Sequence, residues 1–488
     1  MTWIDRLLAA HVGSRRPAVH DHTGAVTGEQ LVEKVSAATD FLVGLEGRPG
    51  IPVPALLTTN ADAIALLIGG AGCDRPLAPV GPRATPDEIR AVISDVCYSV
   101  LLAESAFIDI ANQAAEGTGV RVVQVPDFTP STGAALAGVH RAALYLHTAG
   151  TTGTPKRVAI TDPVLLRRSQ LLTELLGFGP DTVFATGSPI HHIGGVGNLL
   201  AVLTAGGAVT APARFTLDWW RSLADLSPTH ALLVPSMIEM LINAGLLDHV
   251  RVDTLIYGAA PMRPSTLQRV MAILPGIDLV NLFGQTEGSP ITCLSAEDHR
   301  RALTSPDLLE SVGRPVAGLR LRIAAAPGER VGEVLASADH LAGAVDDDGW
   351  LRTGDLGELD DEGYLRLRGR LNDMIVRGGE NVYPDEIENV ISAHPCVESV
   401  GVVGVPDDRL GETVAAFVVP VADRPDGLDV ETLRAWTRTH LAGYKVPAIW
   451  HFVDKLPLNA AGKVLRSRLR TMHAQSVDGA VTEGEVRK

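Results

Sequence analysis

For most of the first 370 residues, apolar runs of strand length alternate with segments of helical period. Residues 120–125, 255–257 and 279–283 read as buried strands, and the run 62–67, stopped by Gly69-Gly70, is of similar length. Between such runs, residues 163–176 and 236–246 carry apolar positions at helical spacing. Parallel strands need crossover connections, usually helices, so this alternation predicts an α/β fold with largely parallel sheets. The apolar stretch 199–213 is interrupted by Gly206-Gly207 and reads as helix, turn and strand. No window approaches the roughly 18 uninterrupted apolar residues of a membrane span.

The pattern changes near residue 310. Strand-like pieces at 320–323, 332–337 and 364–368 are separated by turn signals, among them Asp346-Asp347-Asp348-Gly349 and Asp360-Asp361-Glu362-Gly363. Acidic turns ending in glycine suit a small β subdomain. Beyond Arg370 follows an α+β unit, with a helix after Pro384, strands at 399–405 and 413–420, and a helix at 430–441. We place the boundary near 372, giving a large N-terminal domain, 1–371, and a small C-terminal domain, 372–488. Residues 126–138 are polar and small, a surface connection, and the polar stretch 473–488 is expected to fray.

At 488 residues and 46% apolar, the chain is long enough for two to four folding units, and it buries its core without staples. Its formal net charge of −15 argues against a general nucleic-acid or anionic-membrane binder, which needs a basic face. A phosphate ligand must therefore meet local positive charge. Cys73, Cys97, Cys293 and Cys396 are far apart and form no C-x-x-C pair, which fits reduced thiols better than a disulfide framework or a zinc site. Charge at Asp5 and Arg6 stands where a signal peptide needs an apolar run. A soluble, cytoplasmic protein is expected. Lysine occurs only at 34, 156, 445, 455, 463 and 488, and arginine supplies the other cations. A lysine kept in such a chain hints at a site that wants a compact point charge.

Chemistry is concentrated in Leu146-His147-Thr148-Ala149-Gly150-Thr151-Thr152-Gly153-Thr154-Pro155-Lys156-Arg157-Val158. The flanks, residues 143–146 and 158–160, are strand-like. Between them glycines let backbone N–H groups turn toward an anion, threonine hydroxyls add donors, and Lys156 adds a charge. By composition this loop cradles phosphate. It is not a Walker A loop, because Arg157 rather than Ser or Thr follows the lysine and a strand rather than a helix comes next.

The segment resembles the signature loop of the adenylate-forming superfamily: acyl- and aryl-CoA synthetases, luciferase and the adenylation domains of peptide synthetases. Further matches follow in that family's order. They are Pro189-Ile190-His191-His192-Ile193-Gly194-Gly195, Gly258-Ala259-Ala260-Pro261, Phe283-Gly284-Gln285-Thr286-Glu287, Trp350-Leu351-Arg352-Thr353-Gly354-Asp355, Gly369-Arg370-Leu371-Asn372-Asp373, and the terminal segment with Gly462-Lys463. The resemblance is nearest to acyl-CoA synthetases and implies a C-terminal domain that rotates about a hinge at Asn372.

The resemblance also implies roles. Thr148, Gly150, Thr151, Thr152, Gly153 and Lys156 would surround the β- and γ-phosphates of ATP. Glu287 would hold Mg²⁺, a hard cation that takes oxygen ligands, and Thr286 would touch the α-phosphate. Asn281 and the backbone of Gly258, Ala259 and Ala260 would face the adenine edge, with Phe283 stacked on the ring beside Gly284. Asp355 and Arg370 would hold the ribose. Lys463 would bridge the acid's carboxylate and the α-phosphate. His192, counted with Lys463, Thr286 and Glu287 among the catalytic residues, would lie between the acyl pocket and the thiol tunnel, and with it Ile193, Gly194, Gly195, Val234, Ser236 and Gly288 would line the acyl pocket. After rotation, Arg377, Gly378, Gly379 and the residues to Asn381 would line the pantetheine path.

Three positions depart from the pattern. Asn372 stands where the hinge is usually Asp or Lys, Asp162 where a His commonly follows the loop, and Arg157 where Gly usually follows the lysine. Arg157 and Asp162 are expected to offset one another as a local ion pair. The segment 189–195 lacks an acidic residue to bind an ammonium, which favours an ordinary carboxylic acid over an α-amino acid.

The implied activity is ATP-dependent formation of acyl-AMP with pyrophosphate release, then transfer to CoA as an acyl-CoA thioester, as in biosynthesis. One alternative is delivery to a phosphopantetheine carrier or an amine, or one half-reaction only. Another is a nucleotide-binding scaffold without turnover, against which Lys463, Glu287 and Asp355 speak. The sequence leaves room for a homodimer.

Overall fold

The computed structural model describes residues 1–129, 142–148, 156–421, 428–458 and 464–485. The chain divides into two compact units, Met1–Leu321 with Ala336–Leu351, and Arg322–Leu335 with Arg352–Lys488.

The first unit holds two mixed sheets that are mostly parallel. In one, Ala142–Thr148, Leu77–Val80, Val53–Leu56, Val100–Ala103 and Arg121–Gln124 lie side by side in parallel, and Lys156–Thr161 adds an antiparallel edge. In the other, Pro17–Asp21, Ala208–Thr210, Val183–Thr186, His230–Leu233, Thr254–Gly258 and Asp278–Phe283 form a parallel centre, with antiparallel strands at both edges. One buried cluster joins strands of both sheets to the helices Trp3–His11, Gly28–Val43, Ala61–Gly72, Asp162–Leu176 and Ile193–Thr204. The α/β expectation holds for the physical reason given above: each parallel step carries a crossover helix, and the helices cover the apolar sheet faces.

Two local expectations are corrected. The run 62–67 is not a strand but part of the helix Ala61–Gly72, capped by the Asn60 side chain on Ala63 N at 2.8 Å. Nearly all its residues are buried, so it lacks the polar face that reveals a helix in sequence. Gly69 is a packing contact rather than a stop: a Cβ there would lie 2.8 Å from Thr39 Oγ1 and 3.1 Å from Val35 O of the helix Gly28–Val43. The second correction concerns residues 120–125. Their strand, Arg121–Gln124, lies at a sheet edge and is partly exposed rather than buried. The stretch 199–213 is helix, turn and strand, as read.

In the second unit, residues 322–325, 332–335, 352–359 and 365–370 belong to a four-stranded sheet. A five-stranded sheet is built on the long hairpin Val397–Asp407 with Gly411–Pro420. Strand periodicity splits that hairpin's side chains between two cores. Val402, Val414, Ala416 and Val418 pack with Ile387 and Ile391 of the helix Pro384–Ser392. Val403, Val405, Ala415 and Phe417 pack with Leu469 of the helix Arg466–Glu485. That helix continues to Glu485, so the stretch from His473, expected to fray, is helical there. Both acidic turns form alike: Asp346 accepts from Trp350 N at 2.8 Å, and Asp360 from Tyr364 N at 2.9 Å.

Cys73, Cys97, Cys293 and Cys396 are free thiols. Among the described residues no helix is long and apolar enough to cross a membrane.

Candidate active site

The strand-like flanks of the Gly/Thr segment pair antiparallel, with Thr148 opposite Lys156 and His147 opposite Arg157. Thr148 Oγ1 donates to Lys156 O at 3.3 Å, which closes the mouth of the hairpin. Gly150, Thr151, Thr152 and Gly153 lie outside the described residues. From the mouth, Lys156 Nζ donates to Glu287 Oε1 at 3.0 Å, although 131 residues separate them. The lysine side chain is 58% exposed and the glutamate 10%, so a solvated cation meets a nearly buried carboxylate.

Glu287 stands on a tight turn in which Gln285 N donates to Gly288 O at 2.9 Å and Gly288 N to Gln285 O at 3.0 Å. Thr286 is carried on the same turn. Gly284 leaves room for it, since a Cβ there would lie 2.7 Å from Gly288 O. Ala342 N donates to Glu287 O at 2.7 Å.

The strand Asp278–Phe283 feeds this turn. Its Asn281 is buried beside Tyr257, and Nδ2 donates to Tyr257 O at 3.3 Å, while Oδ1 has no hydrogen-bond partner among the described residues. Gly258, at the end of the neighbouring strand, passes so close to Leu282 that a Cβ would lie 2.4 Å from its carbonyl oxygen. Ala259 follows with φ +66°, a left-handed conformation that costs a residue with a Cβ about 1 kcal/mol, and Ala260 completes the turn. Phe283 is half-buried and packs against the cluster of Leu171, Ile291, Val316 and Leu319.

His192 precedes the helix Ile193–Thr204 as its cap residue, and its ring lies 4.3 Å from that of His191. Burial, then the charges of His192 and Arg83, push His191 down to about 3, so it is neutral. Gly81 admits its ring, as a Cβ there would lie 2.7 Å from His191 Nε2. Gly195 allows the chain to fold back, with a Cβ position 2.3 Å from Pro189 O, whereas Gly194 and Ile193 are only half-buried and Gly194 faces open space. Val234 is buried, and Ser236 is exposed in the first turn of the helix Pro235–Asn243. Gly288 packs against Leu341 and Leu351.

The expected pair of Arg157 and Asp162 does not form. Asp162 is buried at the start of its helix and accepts from Trp3 N at 3.0 and 3.1 Å. Arg157 instead approaches Asp95 at 3.5 Å and lies over the Tyr145 ring at 5.5 Å. Asp95 also meets His147 Nε2 at 3.0 Å, so one carboxylate touches both strands where they enter the loop. Burial lowers the basicity of His147, and Asp95 opposes it. Sequence could not single out Asp95, because nothing in its own neighbourhood marks it.

In the second unit, Asp355 is 5% exposed on the strand Leu351–Leu359, and Arg370 Nε lies 2.7 Å from its Oδ1 across the hairpin. Thr353 Oγ1 accepts from Asp355 N at 3.0 Å and donates to Val334 O at 2.7 Å, which fixes the strand under the carboxylate. Asn372 lies in the short turn Leu371–Asp373. Gly378 (φ +61°) and Gly379 (φ +90°) make the tight reversal between Ile375–Arg377 and Glu380–Val382, and Arg377 Nη1 donates to Tyr444 O. Lys463 lies outside the described residues. Leu458 bridges to Val464 around it, and Arg466 is held by Asp373 at 3.2 Å, Asp385 at 2.5 Å and Glu388 at 2.9 Å.

The residues present fit a nucleotide and Mg²⁺. Asn281 Oδ1 is a buried acceptor of the kind an adenine amino group satisfies. Among the described residues no group of three or more metal-ligating side chains converges. A single carboxylate, Glu287, beside a lysine suits an ion that takes most of its ligands from phosphate and water.

Comparison with known proteins agrees. The family model described as AMP-binding enzyme matches residues 8–343, and that of the AMP-binding enzyme C-terminal domain matches residues 386–463. The chain belongs to the adenylate-forming superfamily of AMP-binding enzymes. Within it the chain is nearest to the acyl- and aryl-CoA synthetases. It is 31% identical to a fatty acid–[acyl-carrier-protein] ligase, ScoC, of Streptomyces coeruleorubidus, over 93% of each chain. It is 28% identical to a feruloyl-CoA synthase of an Amycolatopsis species, over 94% of this chain and 96% of that one. The amide bond synthetase McbA of Marinactinospora thermotolerans superposes with a TM-score of 0.84 at 28% identity, covering 96% of this chain and 99% of that one.

Proposed function

We propose that this AMP-binding enzyme is an acid:CoA ligase. It joins a carboxylic acid to ATP as acyl-AMP, releases pyrophosphate, and passes the acyl group to the thiol of CoA. The contact between Lys156 Nζ and Glu287 Oε1 carries this assignment. It brings the mouth of a Gly/Thr hairpin and a nearly buried carboxylate together, as attack of a carboxylate on a triphosphate requires.

Two anions must approach one another, so the site has to supply charge and position. Lys156 neutralises the outer phosphates together with Thr148 and the loop Gly150 to Gly153. Glu287 would hold Mg²⁺, which when bound would supply positive charge to the phosphates. Thr286 orients the α-phosphate. Asn281, Gly258, Ala259 and Ala260 hold the adenine edge, and Phe283 its face. Asp355 and Arg370 hold the ribose. The acid sits by His192, Ile193, Gly194, Gly195, Ser236 and Gly288. His191, neutral beside it, adds no charge there, which suits an uncharged acyl tail.

Lys463 bridges the acid's carboxylate and the α-phosphate during adenylation. One site cannot admit that lysine and a thiol at once. Residues 372–488 therefore rotate as a unit after adenylation and bring Arg377, Gly378 and Gly379 to the pantetheine arm. The cytoplasm, where the four free thiols persist, is the compartment this chemistry fits.

ATP–pyrophosphate exchange over a panel of short, long and aromatic acids tests the first step. Exchange with none of them refutes it. A second assignment, transfer to a carrier protein or an amine, is favoured by the likeness to a carrier-protein ligase and to an amide bond synthetase. A thioester formed with free CoA as fast as adenylation excludes that alternative.

A further inference from the structure

Arg168 stands out among buried groups that the mechanism above does not use. It lies in the helix Asp162–Leu176, 3% exposed. Its guanidinium is spread over main-chain carbonyls: Nη1 donates to Thr286 O at 3.2 Å, Nη2 to Glu287 O at 3.0 Å, and Nε to His340 O at 2.9 Å. Burying a cation is unfavourable unless its N–H groups are satisfied, and burial does lower this group's basicity, to about 10, with the Glu287 charge opposing. A Leu or Met at this place would pack at less electrostatic penalty. The guanidinium has a different capability: its planar fork fixes the directions of several acceptors at once.

The acceptors are the two peptides that flank the chemistry-bearing side chains. Thr286 and Glu287 lie on a two-residue tip whose own closure is the Gln285–Gly288 pair of hydrogen bonds. A tip of that kind can pivot about its base. Arg168 ties both of its carbonyls to a helix, and to His340 on the adjoining segment. His340 is fully buried, and its Nε2 bonds Pro290 O at 2.9 Å, which holds the far side of the same turn. Ala342 N supplies the remaining contact to Glu287 O. The Glu287 carboxylate is left to Lys156 and the nucleotide site.

We propose that Arg168 is a positioning residue for adenylation: by holding the carbonyls of Thr286 and Glu287 it sets where the metal-binding carboxylate and the α-phosphate hydroxyl point. This rests on Glu287 being the Mg²⁺ ligand. A misplacement of about 1 Å at a reacting centre lowers rate by about 10²-fold.

The test compares Arg168→Met, Arg168→Lys and the control Arg167→Met, whose parent side chain is half-exposed and pairs with Asp339 at 3.4 Å. ATP affinity is measured by calorimetry with Mg²⁺ and with EDTA, and ATP–pyrophosphate exchange is titrated with Mg²⁺. Arg168→Met should lower kcat by about 10²-fold and raise the half-saturating Mg²⁺ several-fold. It should also abolish most of the gain in ATP affinity that Mg²⁺ confers, while affinity in EDTA is unchanged. Arg168→Lys, a point charge that cannot serve three diverging carbonyls, should fall between. Arg167→Met should match the parent.

Unchanged Mg²⁺ dependence in a folded Arg168→Met overturns the proposal, as does a loss of affinity that is equal with and without Mg²⁺. If Arg168→Met does not fold, Arg168→Lys decides by the same criterion. Glu287→Gln separates the underlying assignment: if it leaves the Mg²⁺ dependence intact, the metal-ligand role of Glu287 has failed, whatever Arg168 does.

Discussion

Lys156 and Glu287 meet at 3.0 Å, joining the start of an edge strand in one sheet to a turn that leaves the other. An ion pair so exposed on its lysine side contributes little to stability. In the proposed reaction the pair holds opposite charges where a triphosphate and its cation would replace each as partner of the other.

Lys156→Met should therefore leave Tm nearly unchanged while lowering pyrophosphate exchange by about 10²–10³-fold, the usual effect of deleting one group that stabilises developing charge. Calorimetric unfolding and the exchange assay on the same preparation check it. A large drop in Tm would make the pair structural.

Asp355 offers a sharper readout through the nucleotide itself. Asp355→Asn keeps the shape but loses the charge that Arg370 approaches at 2.7 Å. The KM for ATP should rise about tenfold or more, and the preference for ATP over 2′- and 3′-deoxy-ATP should shrink toward unity, because charged hydrogen bonds discriminate more strongly than neutral ones. Retained discrimination would remove Asp355 from the ribose site.

Arg157 and Asp95 should be energetically coupled, and Arg157 and Asp162 should not. Double-mutant cycles of Arg157→Ala with Asp95→Asn, read as unfolding free energy, are expected to give about 0.5–1 kcal/mol of coupling, and with Asp162→Asn about zero. The reverse result would contradict the contacts at the mouth of the hairpin.

Acid should destabilise the chain partly through His191. The folded imidazole, near 3, stays neutral between pH 6.5 and 5.5, while the unfolded one, near 6.5, takes up a proton. Protons then bind more tightly to the unfolded state, so stability is fully present above pH 6.5 and falls as pH drops, approaching 1.4 kcal/mol per unit for this one group. His191→Gln should flatten the slope of Tm against pH below 6.5 relative to the parent. An identical slope would mean that His191 is not buried as described.

Lys463→Ala should separate the two half-reactions. Formation of acyl-AMP from acid and ATP should fall by about two or three powers of ten, while thioester formation from supplied acyl-AMP and CoA persists. Equal loss in both would assign the lysine to nucleotide binding generally.

Much of the architecture was legible because it is written in local periodicity. The alternation of strands and helices, the paired flanks of the Gly/Thr segment and the two Asp-x-x-Gly turns each depend on residues close in sequence. The errors fell where burial removed the signal. The helix Ala61–Gly72 has no polar face to betray it, and the strand Arg121–Gln124 looked central because composition says nothing about which strand ends a sheet.

By itself the sequence determined the fold class and the order of chemistry-bearing segments, since strand and helix periodicity and the spacing of residue types are local properties of the chain. Tertiary structure alone decided the partners: Asp162 turned to Trp3, Arg157 to Asp95, and Arg168 to carbonyls more than a hundred residues away. A charge is satisfied by whatever packing brings within about 3 Å of it, and separation along the chain carries no record of that distance.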